Sequence, residues 1–379
     1  MPVGMIGFYI LNRKRKDDSM KKHISLILAL LLVLSFAGCG NTAPEETTAP
    51  TETTAPVEEV AYTPYMCPWT AEDLAAARSD GKMHYFFMAA EGLHISMNQQ
   101  NVDKWGDSTL VVFPNGELML IDTGPSNYGP VLLKNLQQMG VEHLNYIFVS
   151  HPHSDHQLGA FGDENKDGGI LDLIGTDKVY WRGAGIGSSD KDMIVGNVCA
   201  EKNIPCEVVE QGTVIEFGEV TMQVLWPMVG TSDLMVPAGQ INDKSIVHRF
   251  DFGEHSSLFA ADLYFAGEEL LLQFTKDELL DVDFLKVPPH GHPTSSSGAF
   301  LTAVSPELSV AMARVPITST LRKLYNSMGS ELLYDLVNGY IHVTADGETG
   351  ELTYTTSRNH DPAYQSDLNI PSASLQPQS

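Results

Sequence analysis

Residues 150–159 read SHPHSDHQLG, and this decapeptide limits what the chain can fold into more than any other stretch. His151, His153, Asp155 and His156 follow directly on the apolar run Tyr146–Val149. An apolar run of that length ahead of a polar loop reads as a buried strand. The loop therefore leaves the C-terminal end of a strand, where α/β folds build their sites. Imidazole and carboxylate are ligands for Zn²⁺ and other divalent first-row metals. In an extended loop His151 and His153, at i and i+2, share one side, and Asp155 and His156 then turn toward a neighbouring position. That arrangement suits two metals a few ångströms apart. A solvated polar loop is the alternative, and it gives no reason for three histidines to follow a buried strand.

The rest of the chain supplies strands and helices in alternation. Residues 109–113 and 117–121 flank Pro114-Asn115-Gly116, a hairpin signal. Residues 130–139 have helical spacing. Further strands are expected at 178–181, 220–225, 245–252, 257–260 and 284–287, and helices near 190–203, 266–276, 297–303 and 319–328. Interleaved elements imply a layered α/β domain. No second linker interrupts them, so one globular domain is expected over 80–355, followed by an irregular tail at 356–379. Hydrophobic residues make up 43% of the chain, which excludes global disorder. Acids outnumber bases 48 to 23, for a net charge of −25. A phosphate backbone needs Lys and Arg counter-charge, so the balance argues against non-specific nucleic-acid binding.

Residues 24–38 are apolar but shorter than the roughly 20 residues a membrane span needs. They follow Met20-Lys21-Lys22 and end in Phe36-Ala37-Gly38-Cys39. This resembles the lipobox of bacterial lipoproteins, in which Cys39 becomes lipidated and is the new N-terminus. The leader is then 1–38, with Met20 as an alternative start. The protein is expected outside the cytoplasmic membrane, attached to it by the lipid anchor alone. An uncleaved anchor helix is the other reading. Residues 39–65 repeat TTAP and are rich in Thr, Pro and Glu. They cannot bury enough apolar surface to fold and read as a disordered spacer.

HPHSDH resembles the HxHxDH signature of the metallo-β-lactamase fold. Asp122-Thr123-Gly124 resembles the family's DTG at the end of its second hairpin strand. Gly106-Asp107-Ser108 resembles the GDS of the subgroup that includes the extracellular hydrolase domain of ComEC-type DNA-uptake proteins. Later landmarks agree: NDKSIVHRFDF at 242–252, Ala261-Asp262, LKVPPHGHPTSSS at 285–297 and GYIHVTADG at 339–347. The resemblance spans about 82 to 354. It implies a four-layer αββα sandwich with the site at one edge. It implies His151 and His153 as ligands of a first metal, Asp155, His156 and His290 at a second, and Asp262 as the bridge. One or two divalent ions per chain follow, Zn first and Mn as the alternative.

Three departures from the family pattern matter. HHG is Pro289-His290-Gly291 here, and the Ser after it is His292, an added ligand or a substrate contact. The further first-metal His of many members has no counterpart except His248, which sits within an expected strand and suits the core at least as well. Asn242, Asp243 or water is the remaining candidate for that position. Asp122 reads as a carboxylate that holds a ligand histidine's tautomer. His84, His94, His143, His255, His342 and His360 show no ligand spacing. Asp163, Asn165, Asp167 and Gly168 match half of a calcium loop, but the twelfth position is Ile174 where a Glu is needed. Cys199 and Cys206 are placed to pair outside the membrane, and Cys67 has no evident partner. Ser295, Ser296 and Ser297 read as a helix cap or substrate contacts.

The function implied is a surface-anchored metal-dependent hydrolase that uses a metal-bound hydroxide on a phosphoester or phosphodiester. The substrate would be a small molecule or a cell-envelope component, with Asp155 orienting the nucleophile and His290 near the leaving group. Two alternatives stand beside it. One is a degraded metal- or ligand-binding lipoprotein, and the other is a nuclease-like component of DNA uptake working through a partner. Oligomeric state is not legible in the sequence.

Overall fold

Residues 109–112 (TLVV) and 118–121 (LMLI) are four buried positions each, closed by a turn in which Gly116 takes φ +83° and donates its N–H to Phe113 O at 2.8 Å. This hairpin lies at the centre of the first of two sheets. In the computed structural model, residues 9–11, 67–89, 106–162, 168–184, 190–228, 236, 240–313 and 317–357 are described. Their strands, in chain order, are β1 (Tyr9–Leu11), β2 (Met83–Phe87), β3 (Thr109–Val112), β4 (Leu118–Ile121), β5 (Leu144–Val149), β6 (Thr176–Trp181), β7 (Cys206–Val208), β8 (Val214–Phe217), β9 (Val220–Trp226), β10 (Val247–Phe252), β11 (His255–Phe259), β12 (Phe284–Lys286), β13 (Leu308–Ala311), β14 (Glu331–Tyr334), β15 (Ile341–Ala345) and β16 (Leu352–Thr356).

One sheet runs β1-β16-β15-β2-β3-β4-β5-β6-β7 and the other β14-β13-β12-β11-β10-β9-β8. Both are mixed. The hairpin pairs antiparallel, Thr109↔Ile121 through Val112↔Leu118, and β4, β5, β6 and β7 then continue in parallel. In the second sheet β8 to β11 form an antiparallel meander and β12 to β14 add in parallel. Parallel neighbours need crossovers, which are helical here. The helices α1 (Ala71–Ala77), α2 (Gly129–Gln138), α3 (Ser154–Phe161) and α5 (Ile194–Lys202) serve the first sheet, with α4 (Ile170–Leu173) between α3 and α5. The second sheet carries α6 (Phe265–Phe274), α7 (Asp277–Leu280), α8 (Gly298–Val304), α9 (Ser319–Ser327) and α10 (Asp335–Asn338).

Strand periodicity sorts the side chains into layers. Leu110, Val112 and Leu120 face Leu132 and Leu136 of α2 and Val198 of α5, outside the first sheet. Val111, Met119 and Phe148 face the opposite way and pack with Phe250, Phe259 and Phe284 of the second sheet. Leu258, Leu285 and Ala311 in turn meet Leu271, Phe300 and Leu321. Three apolar seams between four layers make an αββα sandwich. Each fully buried Leu or Phe contributes about 1.5–3 kcal/mol.

The folded unit begins earlier than the expected boundary at 80. Thr70 caps α1 reciprocally with Asp73, and Cys67, Trp69, Leu74 and Ala77 are buried. Trp69 lies edge-on to Phe86 and Tyr340, with centroids 4.9 and 5.4 Å away. At the other end β16 carries the fold to residue 356. Cys39, the spacer and the tail beyond 357 lie outside the described residues, as does the leader except for Tyr9–Leu11, which pairs with β16. Among the described residues no helix is long and apolar enough to cross a membrane.

Candidate metal centre

The fold delivers the histidine-rich loop, Asp262 and His290 to one edge of the sandwich, at the ends of β5, β11 and β12. His153 is the extended residue that starts α3, so Asp155 and His156 lie in that helix's first turn. The helix sits hard against the DTG turn. A Cβ on Gly159 would lie 1.7 Å from Thr123 O, so only glycine permits the approach. Thr123 N–H donates to His156 O at 2.7 Å and Asp107 N–H to Asp155 O at 3.2 Å. Three residues here hold the left-handed conformation without being glycine: Asp122 (φ 56°), Ala261 (φ 45°) and His290 (φ 52°). Such strain costs of order 1–3 kcal/mol per residue and is kept where the surroundings impose it.

Four donors converge on one point. His156 Nε2 lies 3.3 Å from Asp262 Oδ1 and 3.8 Å from Asp155 Oδ2. His290 Nε2 lies 3.4 Å from Asp262 Oδ1 and 3.3 Å from Asp155 Oδ2. Ligands about 2.0–2.1 Å from a tetrahedral cation stand about 3.3–3.4 Å apart, which three of these four separations match, the His156–Asp155 pair being wider. His156 Nε2 and Asp262 Oδ1 are buried and make no hydrogen bond, although they are neighbours. Both face a common centre rather than each other. A second group, His151, His153 and Asp262, also places one donor atom each within 4.8 Å. There His151 Nε2 is 3.1 Å from His153 Nδ1 and 3.9 Å from Asp262 Oδ2. Asp262 therefore offers Oδ1 to one cluster and Oδ2 to the other. Imidazole and carboxylate donors in these positions fit divalent cations.

The surrounding polar groups fix which nitrogen faces the centre. His156 Nδ1–H donates to Asp122 Oδ2 at 2.7 Å. Ser150 donates its hydroxyl to the same oxygen at 2.7 Å and its N–H to Oδ1 at 2.8 Å, and accepts from His151 Nδ1 at 3.0 Å. His290 Nδ1–H donates to Met312 O at 3.1 Å, with Asp107 Oδ1 also 3.1 Å away. All three Nε2 atoms are thereby turned inward. Asp107 approaches Nδ1 of His156 at 4.0 Å and of His290 at 3.1 Å, and it groups with His156, Asp262 and His290 as a set whose donor atoms all lie within 4.8 Å, so it is a further carboxylate at this centre. Lys286 is buried and paired with Asp107.

These charges move the titrations. Burial alone would lower His156 and His290, but Asp262 and the neighbouring carboxylates hold both well above the usual imidazole range. Burial would raise Asp262, yet His290 and His156 hold it well below the carboxylate range. His151 is pushed well down by burial and then by His156, and His153 is lowered by burial. A cation entering between His156 and His290 must displace their protons.

Two expected positions stand apart from both clusters. His248 is in the core, stacked on Phe259 with centroids 5.3 Å apart and tilted against Phe148 at 4.4 Å. Neither of its nitrogens makes a hydrogen bond, and burial pushes its pKa down to about 3. It is no metal ligand, because β10 aims it between the sheets. His292 is exposed, with Nδ1 3.1 Å from Thr294 Oγ1, and belongs to neither cluster. Asp243 Oδ1 accepts from Gly267 N–H at 2.8 Å and supports α6. Ser297 caps α8, Ser295 donates to Pro288 O and Ser296 pairs with Tyr325. The half calcium loop at 163–167, His94 and His360 lie outside the described residues. Asp107, Ser150 and Lys286 are site residues that sequence reasoning did not single out. The GDS triplet pointed at Asp107, but its role appears only when β3 is set beside β12.

Residues 105–165 match the sequence profile described as the Metallo-beta-lactamase superfamily. That segment carries the His151–His156 loop and is similar to the metallo-beta-lactamase superfamily. That superfamily match ends before Asp262 and His290, which join the centre through the fold. No curated protein sequence matches the chain. Among solved structures it is similar to the metallo-beta-lactamase fold protein YhfI from Bacillus subtilis, at 14% identity over 67% of this chain and 95% of that one, with a TM-score of 0.42. Tm1679, described as a metal-dependent hydrolase of the beta-lactamase superfamily, gives 16% identity, 66% and 95% coverage and a TM-score of 0.43. A diphosphatase from the PhnP family gives 15%, 66% and 94%, and 0.39.

Proposed function

We propose that the protein is a metal-dependent hydrolase of phosphoesters or phosphodiesters, attached to the outer face of the cell membrane through lipid on Cys39. The observation that carries the reading is the split carboxylate of Asp262, one oxygen toward His156 and His290 and the other toward His151. A pair of divalent ions held there would acidify water toward neutrality and polarise a phosphoryl oxygen. The chain's own groups supply the rest. His151, His153 and Asp262 would hold one ion, and Asp155, His156, Asp262 and His290 the other. Asp155 is the least buried of the four donors at the second cluster, with 15% of its side chain exposed. It is therefore the carboxylate placed to orient an attacking water and take its proton. Asp122, Ser150 and Asp107 keep the imidazoles in register. The strong negative charge favours a small or envelope-bound substrate over a long polyanion.

The test is metal content by elemental mass spectrometry with turnover of a generic phosphodiester, beside His153→Ala and Asp155→Asn. About two ions per chain in the parent and turnover abolished by Asp155→Asn are expected. No bound ion after incubation with Zn²⁺ and Mn²⁺ sinks the reading. A second reading, a metal-binding lipoprotein without turnover, is favoured by one observation: among the described residues, three donors stand at the His151 cluster. Two ions without turnover of any phosphoester would select it.

A further inference from the structure

Cys199 and Cys206 belong to neither metal cluster, and nothing in the hydrolase reading uses them. Cys199 is in the last turns of α5 and is buried, whereas Cys206 opens the edge strand β7 and is exposed. The chain between them turns back on itself. Asn203 takes a left-handed φ of 56°, Ile204 N–H donates to Cys199 O at 2.8 Å, and Pro205 O accepts from Val179 N–H at 2.9 Å. The Ile204 bond closes the turn after α5 and the Val179 bond seats β7 beside β6, which leaves the two thiols close enough to interact.

We propose that Cys199 and Cys206 form an oxidisable pair whose disulfide ties the end of α5 to the edge strand β7. The two thiols differ in the way a stepwise oxidation needs. The Cys199 hydrogen bond pulls the Cys206 thiol down, and Trp181 adds a second hydrogen bond to it. The same bond, together with burial, pushes Cys199 up. Cys206 is thus the exposed sulfur that reacts first, and Cys199 is the buried sulfur that resolves the product. The oxidant is a small disulfide such as oxidised glutathione. Cys206 thiolate attacks one of its sulfurs and releases one glutathione thiol. Cys199 then attacks the Cys206 sulfur of the mixed disulfide and releases the second. Two protein thiols lose two electrons and two protons, and one glutathione disulfide becomes two thiols. Cys67 provides an internal control, because it is buried and its thiol is pushed up to about 11.

The experiment equilibrates the full chain with reduced and oxidised glutathione poised at about −180 to −210 mV. Free thiols are trapped by alkylation, the protein is digested, and peptides are mapped by mass. Expected is one peptide pair linked through Cys199 and Cys206, lighter by two hydrogens, with Cys67 alkylated after denaturation. Cys199→Ser should accumulate glutathione on Cys206, and Cys206→Ser should leave Cys199 unmodified. Reduction of the linked form should lower Tm by about 2–6 °C, because the closed loop is short. Both cysteines alkylated at this poise in the parent chain, or glutathione retained on Cys206 with Cys199 intact, would overturn the proposal. Metal content plays no part in this readout, so failure of the hydrolase reading leaves the test intact.

Discussion

The two halves of the candidate metal centre are built to different standards. Around His156 and His290, four donors stand 3.3–3.8 Å apart, and each imidazole is fixed from behind by Asp122 or by Met312 O. Around His151 and His153 there are three donors, and His153 is partly exposed. The same loop supplies both halves. What differs is the number of chain segments that converge. The first half draws on the 151–153 loop and Asp262, while the second adds α3 and the turn after β12. A ligand set gains definition as more independent elements pin it, and here the second half is the better pinned.

Mutations test that asymmetry. The largest effect is expected from Asp262→Ala, which removes a donor from both halves and should reduce bound metal to near zero by elemental analysis. His153→Ala should remove one ion and leave the other, since it touches the three-donor half alone. Loss of both ions would show that the halves do not load separately. Asp122→Asn takes away the acceptor that orients His156 and should weaken metal binding 10- to 100-fold in calorimetric titration. Ser150→Ala should cost less than Asp122→Asn, because His151 retains its place in the turn. Apparent affinity at the His156 half should climb as pH rises through the neutral range. The carboxylates hold protons on His156 and His290 above the usual imidazole range, and each ion must displace them. An affinity flat between pH 6 and 8 would contradict this.

The smallest effect on metal is expected from His248→Phe, which should leave content unchanged. Its effect is on acid stability. His248 titrates near 3 when folded and near 6.5 when unfolded. Above pH 6.5 both states are neutral. Below it the unfolded chain takes the proton first, so the parent loses about 1.4 kcal/mol per pH unit down to about pH 3. The Tm gap between His248→Phe and the parent should therefore widen as pH falls from 6.5 to 4.

What could be read in advance was what is local in sequence. HPHSDH, the 109–121 hairpin and the helix at 129–138 each announce themselves within about a dozen residues. Asp262 and His290 were legible only through motifs, since nothing in Ala261-Asp262 by itself marks a ligand. Asp107, Ser150 and Lys286 were not singled out, because their importance is a product of register: β4 beside β5 brings Asp122 to Ser150, and the folded sheets bring Lys286 to Asp107. The strands β13 to β16 are four or five residues each, too short for pattern alone to announce them. Residues 67–77 look like linker until Trp69 is seen against Phe86 and Tyr340.

The shared carboxylate of Asp262 has one more consequence. With two ions bound, a cation on Oδ1 would alter the charge and the orientation of Oδ2, so neither binding constant would exist apart from the other. Thermodynamic reciprocity requires that each ion change the affinity of the other by the same factor. A chain holding one ion would then be a distinct species rather than half of a chain holding two, and its population would depend on the order of loading only until equilibrium is reached.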